Sequence, residues 1–263
     1  MNSLIIIPAR YSSSRFPGKP LVEVSGMPMI QRVWSIANSV SNSRTNVRVV
    51  VATDDDRIQR TVKSFGGEVV MTSSDCTTGT DRVMDAVRVL NAQEEIVLSF
   101  QGDALLTPPW VLEELIDEFL KNPELEICTP AVLLKNEQRE AFVKNKEAGS
   151  TSGTTVVFNN NRDALYFSKH ILPNSRNKNE QADIYRHIGV YAYRRDVLEQ
   201  FATLPEGRLE SAEKLEQLRA LEAGISIRVV VSDLKKRSLL SVDNPEDVQQ
   251  VEQIILKEGE LVL

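Results

Sequence analysis

The chain has 263 residues, 41% of them hydrophobic and 26% charged, and a net charge of −6. That length supports one large or two small domains, and the acidic balance argues against a nucleic-acid partner, whose binding rests on a basic surface. No run approaches the ~18 apolar residues of a membrane span, and Cys76 and Cys128 lack metal-ligand spacing, so a cytoplasmic protein with reduced thiols and no membrane attachment is expected.

Taken in chain order, the first half alternates short apolar runs with helical patterns. Residues 4–7 read as a strand, 29–37 as a helix, and 47–52 as a second strand ending at "TDDD". Residues 55–65 read as a helix closed by Gly66-Gly67, followed by a strand at 68–71. Val83, Val87 and Leu90 recur at helical spacing within 80–90, and 96–100 is a strand ending at Gln101-Gly102-Asp103. Pro108-Pro109 opens a helix through Phe119, with Thr107 the nearest candidate cap. Such alternation implies parallel pairing and an α/β layered fold. Ligands then bind beyond the carboxyl ends of the strands, where the opening loop, "TDDD" and "QGD" all fall.

The second half is less regular. Residues 126–134 and 153–160 read as strands separated by a charged stretch at 135–149, and "SGTTVVFNNNRDALYFS" reads as a hairpin. Residues 174–183 are polar and read as a surface loop, and "HIGVYAYRR" returns as a strand. A single helix is expected over 211–223, with Ala212, Leu215, Leu218 and Leu221 along one side. A strand at 225–231 and a helix at 245–256 complete the chain. With no repeat and no linker, the pattern predicts one domain over residues 1–263 with an inserted lobe at about 126–210.

The loop "PARYSSSRFPGKPL" carries Arg10, Arg15 and Lys19 directly after the first strand. It is not a P-loop: Ser13 stands where that motif needs glycine, and Pro20 replaces its magnesium-binding hydroxyl residue. A cationic loop of this kind still suits phosphate, through Arg, Lys and backbone N–H groups. Asp103 at a strand end and Asp243 before "NPED" each suit helix capping, or oxygen ligation of a divalent metal. As a pair beside a cationic loop they fit metal-assisted chemistry on a nucleotide. In "GTDR", the helix start either offers N–H groups to an anion or is capped by Thr80. Glu210, Glu213 and Gln217 form either a solvated face or a surface for a polyhydroxylated ligand. His170 and His187, the two histidines, are too isolated for a zinc site.

Nine stretches occur in the order found in the 3-deoxy-manno-octulosonate (KDO) cytidylyltransferases, the CMP-KDO synthetases, and the chain resembles that family over nearly its whole length. They are "IPARYSSSRFPGKPL", "VATDD", "GGEVVMT", "GTDR", "QGD", "ALYFS", "RHIGVYAYRR", "KLEQLRALE" and "VDNPEDV". The resemblance implies a Rossmann-like nucleotidyltransferase fold: a mixed, mostly parallel sheet with helices on both faces and a smaller β-rich lobe for sugar binding and homodimer contact. It implies CTP and Mg²⁺, and attack by the anomeric hydroxyl of a 2-keto-3-deoxy sugar acid on the α-phosphorus. Carried over by position, Arg10 and Lys19 contact the triphosphate, with Pro8, Ala9, Ser13 and Ser14 beside them. Gly79, Thr80, Arg82 and Gln101 belong to the nucleotide side, and Asp103 and Asp243 to the metal. Arg176, His187, Tyr191, Glu216 and Gln217 belong to the sugar.

The departures from the family pattern fall toward the acceptor. Ala104 and Leu105 follow "QGD" where an acid or amide and a proline are usual, Thr155 replaces a lysine, and "GSTSGTT" is atypical. KDO, its 8-amino derivative and another small acid such as a nonulosonate or phosphonate are therefore all expected acceptors. Two further readings stand beside these: a UTP- or dTTP-dependent sugar-1-phosphate nucleotidyltransferase, and a nucleotide-binding regulator without catalysis. The Ser-rich opening loop argues against the first, and retention of both aspartates against the second.

Overall fold

The computed structural model describes residues 1–12, 16–175 and 182–262. Its centre is β1 (Ser3–Pro8), whose six residues are all buried. A near-continuous apolar run is what a parallel strand covered on both faces requires. Here β1 pairs in parallel with β4 (Val47–Thr53) on one side and β6 (Ile96–Ser99) on the other, so that Ile5 opposes both Val49 and Leu98. Ile5 and Ile7 enter one hydrophobic cluster and Leu4 and Ile6 another, because successive side chains alternate across the sheet.

Helices cover both faces. The Ile5 side receives α1 (Met29–Ser43), α2 (Asp56–Ser64), α4 (Pro109–Lys121) and α9 (Pro245–Glu258). The Leu4 side receives α3 (Gly79–Val89), α6 (Arg195–Phe201) and α8 (Gln217–Glu222). Beyond β4 lies β5 (Val69–Met71), again parallel. On the other flank β6 meets β11 (Tyr191–Arg194) antiparallel, and β11 meets β7 (Ile127–Leu133), which also carries β12 (Ile227–Val231) in parallel. The sheet continues antiparallel through β10 (Tyr185–His187), β8 (Thr154–Phe158) and β9 (Ala164–Ser168). Residues 126–210 thus extend the main sheet instead of building a detached layer. No helix among the described residues is long and apolar enough to cross a membrane.

Several local expectations change. A small hairpin of β2 (Glu23–Val24) and β3 (Met27–Pro28) occupies a segment with no sequence signal. The charged stretch 135–149 holds α5 (Asn136–Glu147), which buries only Phe142 and so lacks an apolar period. "HIGVYAYRR" is two strands, β10 and β11, both paired with β7 and separated at 188–190. The expected 211–223 helix is likewise two, α7 (Arg208–Glu213) and α8, broken where Lys214 takes a left-handed φ of 53°. The cap of α3 is Thr78, in a capping box with Asp81, and not Thr80. Thr107 makes no side-chain cap on α4, which Pro108 and Pro109 start unaided.

Candidate active site

The loops leaving the carboxyl ends of β1 and β6 frame two adjoining cavities. The loop after β1 is closed by Gly18, whose amide donates to Tyr11 O at 2.9 Å. Its φ of +74° is a left-handed value that favours glycine. Pro20 then sits in the short 3-10 turn Lys19–Leu21, where its missing N–H costs nothing. That turn aims Lys19 inward, and its Nζ donates to Asp103 Oδ2 at 2.6 Å and to Val242 O at 2.9 Å. One ammonium therefore ties the "QGD" loop to the residue before Asp243. Gly102 explains the motif's middle position, since a Cβ there would lie 2.9 Å from Pro8 O.

The first cavity, about 220 Å³, is lined by Pro8, Ala9, Arg10, Lys19, Gly79, Arg82, Gln101, Asp103 and Asp243. Every nucleotide-side and metal-side position expected from the sequence is among them, except Thr80, Ser13 and Ser14. The two serines lie outside the described residues. "TDDD" contributes from behind: Asp54 accepts from buried Arg82 at 3.0 Å, while Asp55 caps α2. Arg82 Nη1 donates to Thr72 Oγ1 at 2.7 Å, so this guanidinium is a fixed cation at the wall.

The second cavity, about 530 Å³, shares Gln101 and Asp103 with the first and is lined further by His187, Tyr191, Glu216 and Gln217. Four of the five expected sugar-side residues therefore meet in one place, and Arg176 lies outside the described residues. Thr80 links the cavities instead of lining the first, its hydroxyl donating to Glu216 Oε2 at 2.6 Å. Burial holds the Glu216 carboxyl above its ordinary value, with the Thr80 bond and Arg219 opposing. Burial also raises the Tyr191 phenol, which stays protonated as a donor, and lowers the His187 ring to about 3. Among the described residues the Gln217 amide nitrogen, buried at this wall, has no hydrogen-bond partner, a donor whose desolvation is uncompensated until an acceptor atom arrives.

Three cations at this cavity escaped the sequence reading: Lys169, Arg186 and Lys214. Lys169 directly follows "ALYFS" and Arg186 opens "RHIGVYAYRR". Arg186 lies inside a motif and Lys169 directly beside one, but neither residue type at those positions by itself marks a ligand contact. Burial lowers the pKa of both Lys169 and Arg186, the mark of cations held with little solvent. Lys146 braces the wall, donating to Gly153 O at 2.7 Å and Lys169 O at 2.6 Å.

Other acceptor-side expectations are corrected. Glu210 faces neither solvent nor ligand; it is buried and bidentate with Arg219, both bonds 2.7 Å. Glu213 accepts from Ser168 Oγ and Lys169 N, each at 2.8 Å, and so holds Lys169 in place. Thr155 is buried with its hydroxyl donating to His170 O at 2.6 Å, so that departure lies behind the wall and not on it. Ala104, Ser152, Gly153 and Thr154 do line the cavity, whereas Leu105 is core.

A family model described as cytidylyltransferase matches residues 4–227. The chain is 52% identical, over all of both chains, to a 3-deoxy-manno-octulosonate cytidylyltransferase of Maricaulis maris (strain MCS10). It is 44% identical to an 8-amino-3,8-dideoxy-manno-octulosonate cytidylyltransferase of Shewanella baltica (strain OS195), covering 96% of this chain and 98% of the relative. Among solved structures, a CMP:2-keto-3-deoxy-manno-octonic acid synthetase complexed with CTP superposes with a TM-score of 0.86 at 38% identity, covering 98% of this chain and 100% of that one.

Proposed function

The chain belongs to the cytidylyltransferase family, and we propose that it transfers CMP from CTP to a 2-keto-3-deoxy sugar acid, KDO before its 8-amino derivative. The observation that carries this reading is the pair of cavities joined at Gln101 and Asp103. A triphosphate on the Arg10–Lys19 side brings its α-phosphorus to that junction, against an acceptor held on the His187–Tyr191 side. The acceptor's anomeric oxygen forms the new bond to the α-phosphorus, the bond to the β-phosphate oxygen breaks, and pyrophosphate leaves. The hydroxyl proton is released. Alignment of the two substrates and fixed cations at the phosphates carry the step, with no covalent enzyme intermediate.

Asp103 and Asp243 supply hard oxygen donors, and the seat of the Lys19 ammonium between Asp103 and Val242 O is one that accepts a cation. Two carboxylates plus substrate phosphates suit Mg²⁺. Held there, the ion would offset charge on the phosphoryl oxygens. Charge also favours KDO over its 8-amino derivative. Lys169, Arg186 and Lys214 face the cavity, while its carboxylates Asp103 and Glu216 already accept from Lys19 and Thr80, which leaves an ammonium poorly matched. By resemblance the proposal extends to a cytoplasmic homodimer that serves lipopolysaccharide or capsule synthesis.

The test is pyrophosphate release with each of the four nucleoside triphosphates and KDO. Turnover with CTP is expected; turnover with UTP and none with CTP would contradict the assignment.

A further inference from the structure

Beneath His187 lies a hydrogen-bond chain that fixes which ring nitrogen carries the proton. Thr129, in the middle of β7, is fully buried. Its Oγ1 lies 2.8 Å from His187 Nε2, 2.8 Å from Val190 O and 3.4 Å from Ile188 O. A hydroxyl has one proton to give, and a carbonyl oxygen only accepts. Were that proton given to Nε2, the Val190 oxygen would face a bare hydroxyl lone pair at 2.8 Å with nothing between them. The proton therefore goes to Val190 O, the Oγ1 lone pair faces the ring, and Nε2 carries the hydrogen. The ring plane is set by the edge of Phe167, 5.1 Å away at 76°, and by Tyr191 at 5.4 Å. Among the described residues no hydrogen bond reaches Nδ1, and His187 lines the cavity.

We propose that Thr129 is a positioning residue that locks His187 as the neutral Nε2–H tautomer, so that an unprotonated Nδ1 accepts a hydrogen bond from a hydroxyl of the acceptor. The inference rests on the second cavity being the acceptor site. It gives His187 a definite task. Burial beside Lys169 makes the ring too weak a base to take up the anomeric proton at neutral pH, so it reads substrate and does not relay protons. The site then recognises an O–H donor at one point of the sugar, and an acceptor without it leaves Nδ1 unpaired.

Nitrogen-15 NMR of ring-labelled protein tests this directly, and His170→Gln leaves His187 as the lone histidine signal. At neutral pH without substrate, a protonated Nε2 and a bare Nδ1 are expected. An Nδ1–H tautomer or an imidazolium would overturn the proposal, and the spectrum decides this even if the protein transferred no nucleotide. Thr129→Val should disturb the ring signals and lower kcat/KM for the acceptor about tenfold, with KM for CTP unchanged. Thr129→Ser keeps the hydroxyl and should restore both. Ring signals unaltered by valine, or KM values that rise equally for both substrates, would contradict the positioning role.

Discussion

Thr80→Val weakens the link between the two cavities by removing one hydroxyl from Glu216. The change keeps side-chain volume and removes the donor 2.6 Å from Glu216 Oε2. Thr80 is 6% exposed and the Glu216 side chain 30% exposed. A hydrogen bond to a charged group contributes roughly 1.5–3 kcal/mol, and partial exposure of the carboxylate places this one near the lower figure. Burial already raises the Glu216 carboxyl above 4.5, and the Thr80 bond opposes that rise. Its loss lifts the pKa further.

The sign follows from proton binding. An acid with a raised folded-state pKa holds more protons folded than unfolded. Stability therefore falls as pH rises from the unfolded value through the folded one, and is level above it. The valine variant carries that fall to higher pH. Urea unfolding should show a loss of about 1.5 kcal/mol at a pH above the titration range of the carboxyl in both proteins. Below that range, where the carboxyl is protonated and the bond no longer charge-assisted, the loss should shrink to about 0.5–1 kcal/mol. Acceptor KM should rise as Glu216 loosens. Equal losses at the two pH values, or a larger one in acid, would show that the Thr80 hydroxyl does not act on the Glu216 charge.

Three other outcomes are expected. Asp103→Asn should lower turnover at least ~100-fold while costing under about 1 kcal/mol of stability, since its pair with Lys19 is partly exposed; steady-state kinetics and urea unfolding separate the two. Gly102→Ala should raise KM for CTP with acceptor KM little changed, because the added methyl pushes Pro8 O from 2.9 Å and shifts the nucleotide loop. Arg219→Met should cost about 3 kcal/mol in urea unfolding by stranding buried Glu210, and a loss below about 1 kcal/mol would show the pair to be a surface contact.

What the sequence disclosed follows from where its signals are local. The parallel half is legible because β1, β4 and β6 are apolar runs ending at loops whose residues sit at strand carboxyl ends. Lys19, Asp103 and Asp243 were recognisable from their motifs, though nothing local reveals that Lys19 bridges the two acidic loops. The break at Lys214 is invisible because a lysine in left-handed backbone follows a good helical pattern. α5 hides because one buried Phe142 sets no period. Lys169, just past β9, and Arg186, on β10, give no local signal because a cation at a short strand reads as solvent-facing unless its tertiary neighbours are known. The apparent loss of a cation at Thr155 is deceptive for the same reason: that hydroxyl is taken up by His170 O behind the wall, and Lys169 and Arg186 line the cavity.

The central claim is bond formation between CMP and the acceptor. Incubation with CTP, Mg²⁺ and KDO, followed by phosphorus-31 NMR, measures it directly. CMP transfer to the acceptor should give one new phosphodiester signal growing in step with pyrophosphate, and a smaller rate when 8-amino-KDO replaces KDO. Pyrophosphate formed without a phosphodiester, or a phosphodiester formed equally well from UTP, would contradict it.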